Sequence, residues 1–266
     1  MFFSKMHAAG NDYVYIVDQG YETERLAEFS RFASDRHKGI GGDGVICVKK
    51  LAENAIRMRI FNSDGSEGAT CGNGMRCAAL FAAKYLGTNP NELTVKAKAG
   101  DYSVRLFFNE NGATAEADFA EPREIFGGEK LFKALSPFIK TDKNKMFAVN
   151  AGNDHLVAVG GEFNAEIYAK AAFRSGLFAG GVNAEVISFC GNDIKVSVFE
   201  RGSGYTLSCG SGAVASAFAL KKITGRTEFT LKMPGGDLSV KFSDKIATLK
   251  GEINEVFTGN IDYEIQ

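Results

Sequence analysis

The chain has 266 residues, 45% of them apolar and 24% charged, with a net charge of −1. That length suits one large domain or two of ordinary size, and the charge balance leaves no electrostatic footprint for nucleic acid or an anionic membrane surface. The opening "MFFSKMHAAGND" lacks the apolar run of a leader and no stretch approaches the ~20 apolar residues of a membrane span, so a cytoplasmic location is expected.

In chain order, "AGNDYVYIV" (9–17) comes first and "ETERLAEFSRFASD" (22–35) reads as a helix. "GIGGDGVICV" (39–48) follows, then "IRMRIF" (56–61), which alternates as a half-exposed strand does. "SEGATCGNGMRC" (66–77) runs into a second helix, "GMRCAALFAAKYL" (74–86), and "YSVRLFF" (102–108) is again strand-like. Past a segment around 115–145 the order repeats: "AGNDHLVAV" (151–159), a helix "NAEIYAKAAFRSG" (164–176), "AGGVNAEVISF" (179–189) and a strand "IKVSVF" (194–199). "GYTLSCGSGAVASAFAL" (204–220) opens a helix over 212–223, and the strands "TEFTLKM" (227–233) and "ATLKGE" (247–252) close the series.

The repetition is exact in spacing where it is strongest. Residues 56–87 align with 194–225 without a gap, and Cys71 and Cys209 fall on each other because 209 − 71 = 138 and 194 − 56 = 138. Four blocks recurring in one order imply a duplication within one fold, not a solenoid. The expected fold is α+β: two pseudo-symmetric halves, each a mostly antiparallel sheet wrapped around a central helix, with the site in the cleft between them. The halves are placed at 1–120 and 121–266, with the boundary inside 115–145.

The cysteines at 47, 71, 77, 190 and 209 form an odd set without a C-x-x-C pair, and with three scattered histidines they do not supply the spacing of a zinc site. Reduced thiols and no metal are expected, with Cys47, Cys77 and Cys190 in the core. Cys71 and Cys209 differ, since each precedes Gly-x-Gly at the mouth of a helix. Unpaired N–H groups and the helix dipole stabilise an anion there and lower a thiol's pKa. Two such thiols facing one carbon could take a proton from one face and return one to the other, with the helix N-termini holding the carboxylate and no cofactor needed. A cysteine hydrolase would want a histidine beside its thiol, and has no use for a second one. A disulfide-based redox sensor and a non-catalytic ligand-binding protein remain as other uses.

"KMHAAGNDYV", "GIGGDG", "FNSDGSEGATCGNGMRC", "AGNDH", "GGVN", "ERGSGYTLSCGSGA" and "MPGG" together, in order and over essentially the whole chain, resemble the diaminopimelate epimerase family. The resemblance implies a cofactor-independent isomerase that interconverts L,L- and meso-diaminopimelate for lysine and peptidoglycan biosynthesis, as a homodimer with a small-molecule amino acid as substrate. By position it makes Cys71 and Cys209 the acid–base pair, flanked by His155 and Glu200. It makes Gly72, Asn73, Gly210 and Ser211 the holders of the reacting carboxylate, and Asn11 a contact to that end. Asn62, Asn153, Asn183 and Arg201 become receivers of the distal carboxylate, with Glu200 near the distal ammonium. The sequence departs from the family at Asp154, where proline is usual, and at Tyr205, where Glu or Ala is. Both neighbour the distal-group residues, so a racemase of histidine, another basic amino acid or lanthionine on the same fold is the alternative.

Overall fold

The structure is a computed structural model that describes residues 1–266 except 111, 141, 179 and 266. Its contacts divide the chain into two compact units: Met1–Asp118 together with Lys250–Gln266, and Phe119–Leu249.

The first unit contains β1 (Phe2–Ala8), β2 (Asn11–Val17), α1 (Thr23–Ser34), β3 (Gly44–Ala52), β4 (Ala55–Asn62), β5 (Glu67–Gly68), α2 (Gly72–Tyr85), β6 (Leu93–Ala97), β7 (Gly100–Asn109) and all but the last two residues of β8 (Gly112–Ala120). The second holds β9 (Arg123–Phe126), α3 (Gly128–Leu135), β10 (Met146–Asn150), β11 (Asp154–Val159), α4 (Ala165–Arg174), β12 (Asn183–Cys190), β13 (Asp193–Glu200), β14 (Gly204–Tyr205), α5 (Gly210–Thr224), β15 (Glu228–Met233) and β16 (Gly236–Ser243). The long β17 (Ile246–Asn260) starts in the second unit and ends in the first.

The duplication is visible strand by strand. β1–β2 and β10–β11 are antiparallel hairpins, and β2–β3 and β11–β12 are parallel. β3–β4 and β12–β13 are antiparallel, β4–β6 and β13–β15 parallel, and β6–β7 and β15–β16 antiparallel. Even the two-residue strands agree: Phe61 faces Glu67 and Phe199 faces Tyr205, each pair at the same offset of 138. In the first unit β17 also pairs with β1, Phe2 opposite Asn260.

Sequence chemistry explains which elements lie inside. α2 is buried continuously from Asn73 to Ala82, and α5 from Gly212 to Leu220. Their small and apolar residues run round the whole cylinder, the pattern of a helix enclosed by sheet on all sides. α1 buries only Leu26, Phe29, Ser30, Ala33 and Ser34, a single stripe at helical spacing. That stripe packs with Phe3, Val14, Ile16, Val45 and Phe61 on the outside of the sheet. In the second unit α4 does the same through Tyr168, Ala169, Ala171 and Ala172, in a cluster that also takes Leu131 and Leu135 of α3. α3 lies in the stretch without a twin, where the sequence pattern predicts no helix.

One core assignment is corrected. Cys47 and Cys77 are fully buried, but Cys190 is exposed. It ends β12, whose last three residues, Phe189 among them, are all exposed. An apolar composition alone does not report where along a strand burial ends.

Candidate active site

Cys71 and Cys209 are the N-caps of α2 and α5, the two enclosed helices. Their backbones match, with φ −147° and ψ 115° at Cys71 and φ −131° and ψ 116° at Cys209. Each Sγ accepts the amide of the third helical residue, Gly74 N–H at 3.3 Å and Gly212 N–H at 3.4 Å. The helical ladder starts one residue later, with Met75 N–H to Cys71 O and Ala213 N–H to Cys209 O, both 2.9 Å. The amides of Gly72 and Asn73, and of Gly210 and Ser211, therefore precede the ladder, where an anion is stabilised by dipole and donors together.

The surroundings of the two thiols differ in charge. Cys71 is partly exposed and donates to Asn11 Oδ1 at 3.3 Å. Asn11 is held from behind, its Nδ2 donating to Asp43 Oδ2 at 2.7 Å. Asp43 also accepts Asp12 N–H at 3.2 Å, and Arg36 joins Asp12 and Asp43 at 2.7 and 3.0 Å. Lys5 closes the network with a 2.6 Å ion pair to Asp12. One turn into α2, the fully buried Arg76 donates to Asn73 Oδ1 at 2.6 Å.

Cys209 is buried beside acids. Burial pushes its pKa well up, and the neighbouring Glu200 and Glu185 carboxylates push it further. The helix start was expected to lower a thiol here, and at Cys209 burial and like charge win. Its Sγ lies 3.5 Å from Ser211 Oγ. Glu200 accepts Thr206 Oγ1 at 2.5 Å, and burial raises its carboxyl above the usual carboxylate range against the pull of Thr206 and Cys209. His155 is fully buried between Glu185 Oε1 at 2.7 Å and Asn153 Oδ1 at 2.8 Å. Among the described residues no group of three His, Cys, Asp or Glu is placed to hold a metal ion.

A sequence profile of the family described as diaminopimelate epimerase matches residues 3–118 and 147–259. The chain belongs to the diaminopimelate epimerase family. A relative from Methanocella arvoryzae with that family's name is 34% identical over 274 residues, covering 98% of this chain and 97% of its own. One from Methanococcus maripaludis is 35% identical over 280 residues, covering 98% and 100%. Among solved structures, a predicted epimerase from Pseudomonas aeruginosa superposes with a TM-score of 0.73 at 15% identity, covering 99% of each chain. A hydroxyproline epimerase from Agrobacterium vitis gives 0.66 at 12% identity, covering 98% of this chain and 90% of its own. The chain is thus an isomerase of the epimerase type, on the α+β fold its sequence predicts. No described helix is long and apolar enough to cross a membrane.

This epimerase-family chain brings the sequence-predicted residues together unevenly. In the first unit Asn11 reaches Cys71 directly, whereas the Asn62 side chain donates to Ser66 Oγ at 3.0 Å. In the second unit Asn183 is buried and its Oδ1 accepts the Arg201 amide at 2.9 Å, which fixes the backbone where β13 ends. The Arg201 guanidinium is exposed and donates to Gly180 O at 3.3 Å. The two family departures have structural places. Asp154 is on the exposed side of β11, opposite in direction to His155, and accepts Asn150 Nδ2 at 2.7 Å across the hairpin. Tyr205 packs edge-on against Phe199 with ring centroids 5.2 Å apart, and its hydroxyl accepts Glu166 N–H at 3.4 Å at the start of α4.

Sequence reasoning missed Glu185. It is the one charged residue in β12, whose first five residues are buried, and that isolation was the available signal. Arg76 carried a similar signal inside an alanine-rich helix.

Proposed function

We propose that the protein is a cofactor-independent diaminopimelate epimerase, interconverting the L,L and meso isomers by two-base proton transfer between Cys71 and Cys209. The observation that carries this reading is the matched pair of cysteine N-caps on twin enclosed helices. A thiolate removes the α-proton, so the C–H electron pair is left on carbon and delocalises into the α-carboxylate. The other thiol then gives its proton to the opposite face and becomes the thiolate, ready for the reverse reaction. The amides of Gly72, Asn73, Gly210 and Ser211 take up the charge that develops on the carboxylate. Cys209, kept protonated by burial and its acidic neighbours, is the donor in the direction in which Cys71 is the base. Glu200 beside it is the acceptor for the distal ammonium. Asn62, Asn153, Asn183 and Arg201 receive the distal carboxylate, Arg201 through a charge-assisted pair.

The engagement of Asp154 with Asn150 supports diaminopimelate over a cationic or imidazole side chain, because that carboxylate is tied into its own hairpin. The expected setting is lysine and peptidoglycan biosynthesis, with the protein as a homodimer, which sedimentation velocity would test. The function itself is tested in D₂O, where NMR should show α-deuteration of L,L-diaminopimelate by the reduced protein. Cys71→Ala and Cys209→Ala should each abolish epimerisation. Full turnover by either variant, or exchange into L-histidine but not diaminopimelate, would overturn the reading.

A further inference from the structure

The pair formed by His155 and Glu185 is not used by the two-thiol mechanism. Both residues are fully buried in the second unit. His155 Nδ1 faces a carboxylate oxygen, Glu185 Oε1, at 2.7 Å, and its Nε2 faces a carbonyl oxygen, Asn153 Oδ1, at 2.8 Å. With Glu185 ionised and the Asn153 oxygen toward the ring, both partners only accept, and each ring nitrogen then carries a proton. A ring protonated at both positions cannot take up another proton, so in this state His155 is not a base.

Glu185 is also sterically fixed. A Cβ on Gly212 would come within 2.5 Å of its Oε1, so the carboxylate lies against the first turn of α5. Its Oε2 is buried with no hydrogen-bond partner among the described residues. A buried carboxylate is tolerated when it is paired with a cation, and its hydrogen bond leads to the His155 ring. The other titratable groups of the cluster are Glu200 on β13 and Cys209 at the cap of α5, both acids.

The twin unit shows what this pair changes. Tyr13 stands opposite Gly44 across β2–β3, as His155 stands opposite Asn183 across β11–β12, so Ile46 matches Glu185 and Asn11 matches Asn153. In the first unit a carboxylate, Asp43, binds the Asn11 NH₂ and turns its oxygen outward to Cys71. In the second, the ring N–H binds the Asn153 oxygen, so the NH₂ is the group left for other partners. The same residue is thus made an acceptor in one half and a donor in the other.

We propose that Glu185 is a positioning residue: it holds His155 protonated on both nitrogens, and His155 in turn fixes Asn153 with its NH₂ presented to a carboxylate of the substrate. The last clause rests on the proposed function; the ring state does not. The chain has three histidines, so a His155→Gln control assigns the ring signals of protein labelled with ¹⁵N-histidine. Long-range ¹H–¹⁵N spectra of the substrate-free protein near neutral pH should show both His155 nitrogens protonated. In Glu185→Gln one nitrogen should lose its proton, and KM for diaminopimelate should rise about tenfold, the worth of one hydrogen bond to a charged group. The change in kcat should stay below about threefold, since ground-state and transition-state binding lose the same contact. A wild-type ring with one bare nitrogen, a Glu185→Gln ring unchanged from wild type, or a fall in kcat at constant KM would each overturn the proposal. The spectrum decides the ring state whether or not diaminopimelate is turned over.

Discussion

Gly74→Ala and Gly212→Ala add the same methyl group at the third residue of twin helices, and the structure predicts unequal outcomes. At Gly74 the new Cβ meets Ile46 Cδ1 at 2.5 Å, with Cys71 Cβ and Sγ at 3.4 and 3.5 Å. The first obstacle is the tip of a flexible side chain, so the cost is ordinary overpacking, about 1–3 kcal/mol. The gain from replacing glycine in a helix offsets up to about 1 kcal/mol of it. At Gly212 the obstacle is Glu185 Oε1 at 2.5 Å, with Cys209 Cβ at 3.2 Å. Moving that oxygen pulls the carboxylate off a fully buried His155, and breaking the ion pair proposed for these two residues costs about 3–5 kcal/mol. The net expectation is about 0–2 kcal/mol of destabilisation for Gly74→Ala and about 2–4 kcal/mol for Gly212→Ala. Urea titration and scanning calorimetry of both variants give the comparison, the melting temperature of Gly212→Ala falling several degrees further, at about 2–4 °C per kcal/mol. Adding Glu185→Gln to Gly212→Ala should recover part of the loss, because the clash then displaces a neutral group. Equal destabilisation of the two glycine variants, within about 0.5 kcal/mol, would refute the assignment of the cost to the ion pair.

Peptide mapping after iodoacetamide should find Cys190 labelled first and Cys71 next. Cys47 and Cys77 should react only once the chain unfolds, since burial pushes both thiols up, Cys77 to about 12; early labelling of Cys77 would contradict the enclosed position of α2. Glu200→Gln should raise thermal stability at neutral pH while impairing turnover. Burial raises the Glu200 carboxyl in the fold, so its ionisation works against folding as pH climbs through the interval between the unfolded and folded values; a lower melting temperature in this variant would count against that sign. Asp12 behaves oppositely: burial alone would raise its carboxyl, but hydrogen bonds from Arg36 and Lys5 outweigh it and hold it low. That stabilisation is present above the unfolded value of about 3.9 and is lost as pH falls through the folded one, so the penalty of Lys5→Met should shrink in acid melts.

What the sequence could reveal depended on repetition. Cys71 and Cys209, the helices they cap and the strands before them were legible because a duplicated chain shows each feature twice, at one offset. Features present in one half only were harder. Glu185 has Ile46 as its counterpart, and Arg76 has Val214, so comparison of the halves passes over both. α3 lies where no twin exists, and its eight residues give too short a period to stand out. Asp154 raised a question about the substrate because sequence records adjacency and not direction. In a strand, neighbours point to opposite faces, and the residue beside the buried His155 faces outward.

The placement of Lys250–Gln266 in the first unit has a consequence for how the chain is made. Strand β1 finds its β17 partner far along the polypeptide, Phe2 opposite Asn260, so a nascent chain released from N- to C-terminus holds an unpaired strand edge until β17 has emerged. From Asp118 to Lys250 the ribosome adds 250 − 118 = 132 residues, which takes about 7 to 26 seconds at the usual range of elongation rates. The second unit is a continuous segment that is complete once Leu249 has emerged, while the first, although begun earlier, finishes after it. Clipping the C-terminal segment should therefore loosen the oldest part of the chain first, with protection from hydrogen exchange lost along β1 before it is lost along α5.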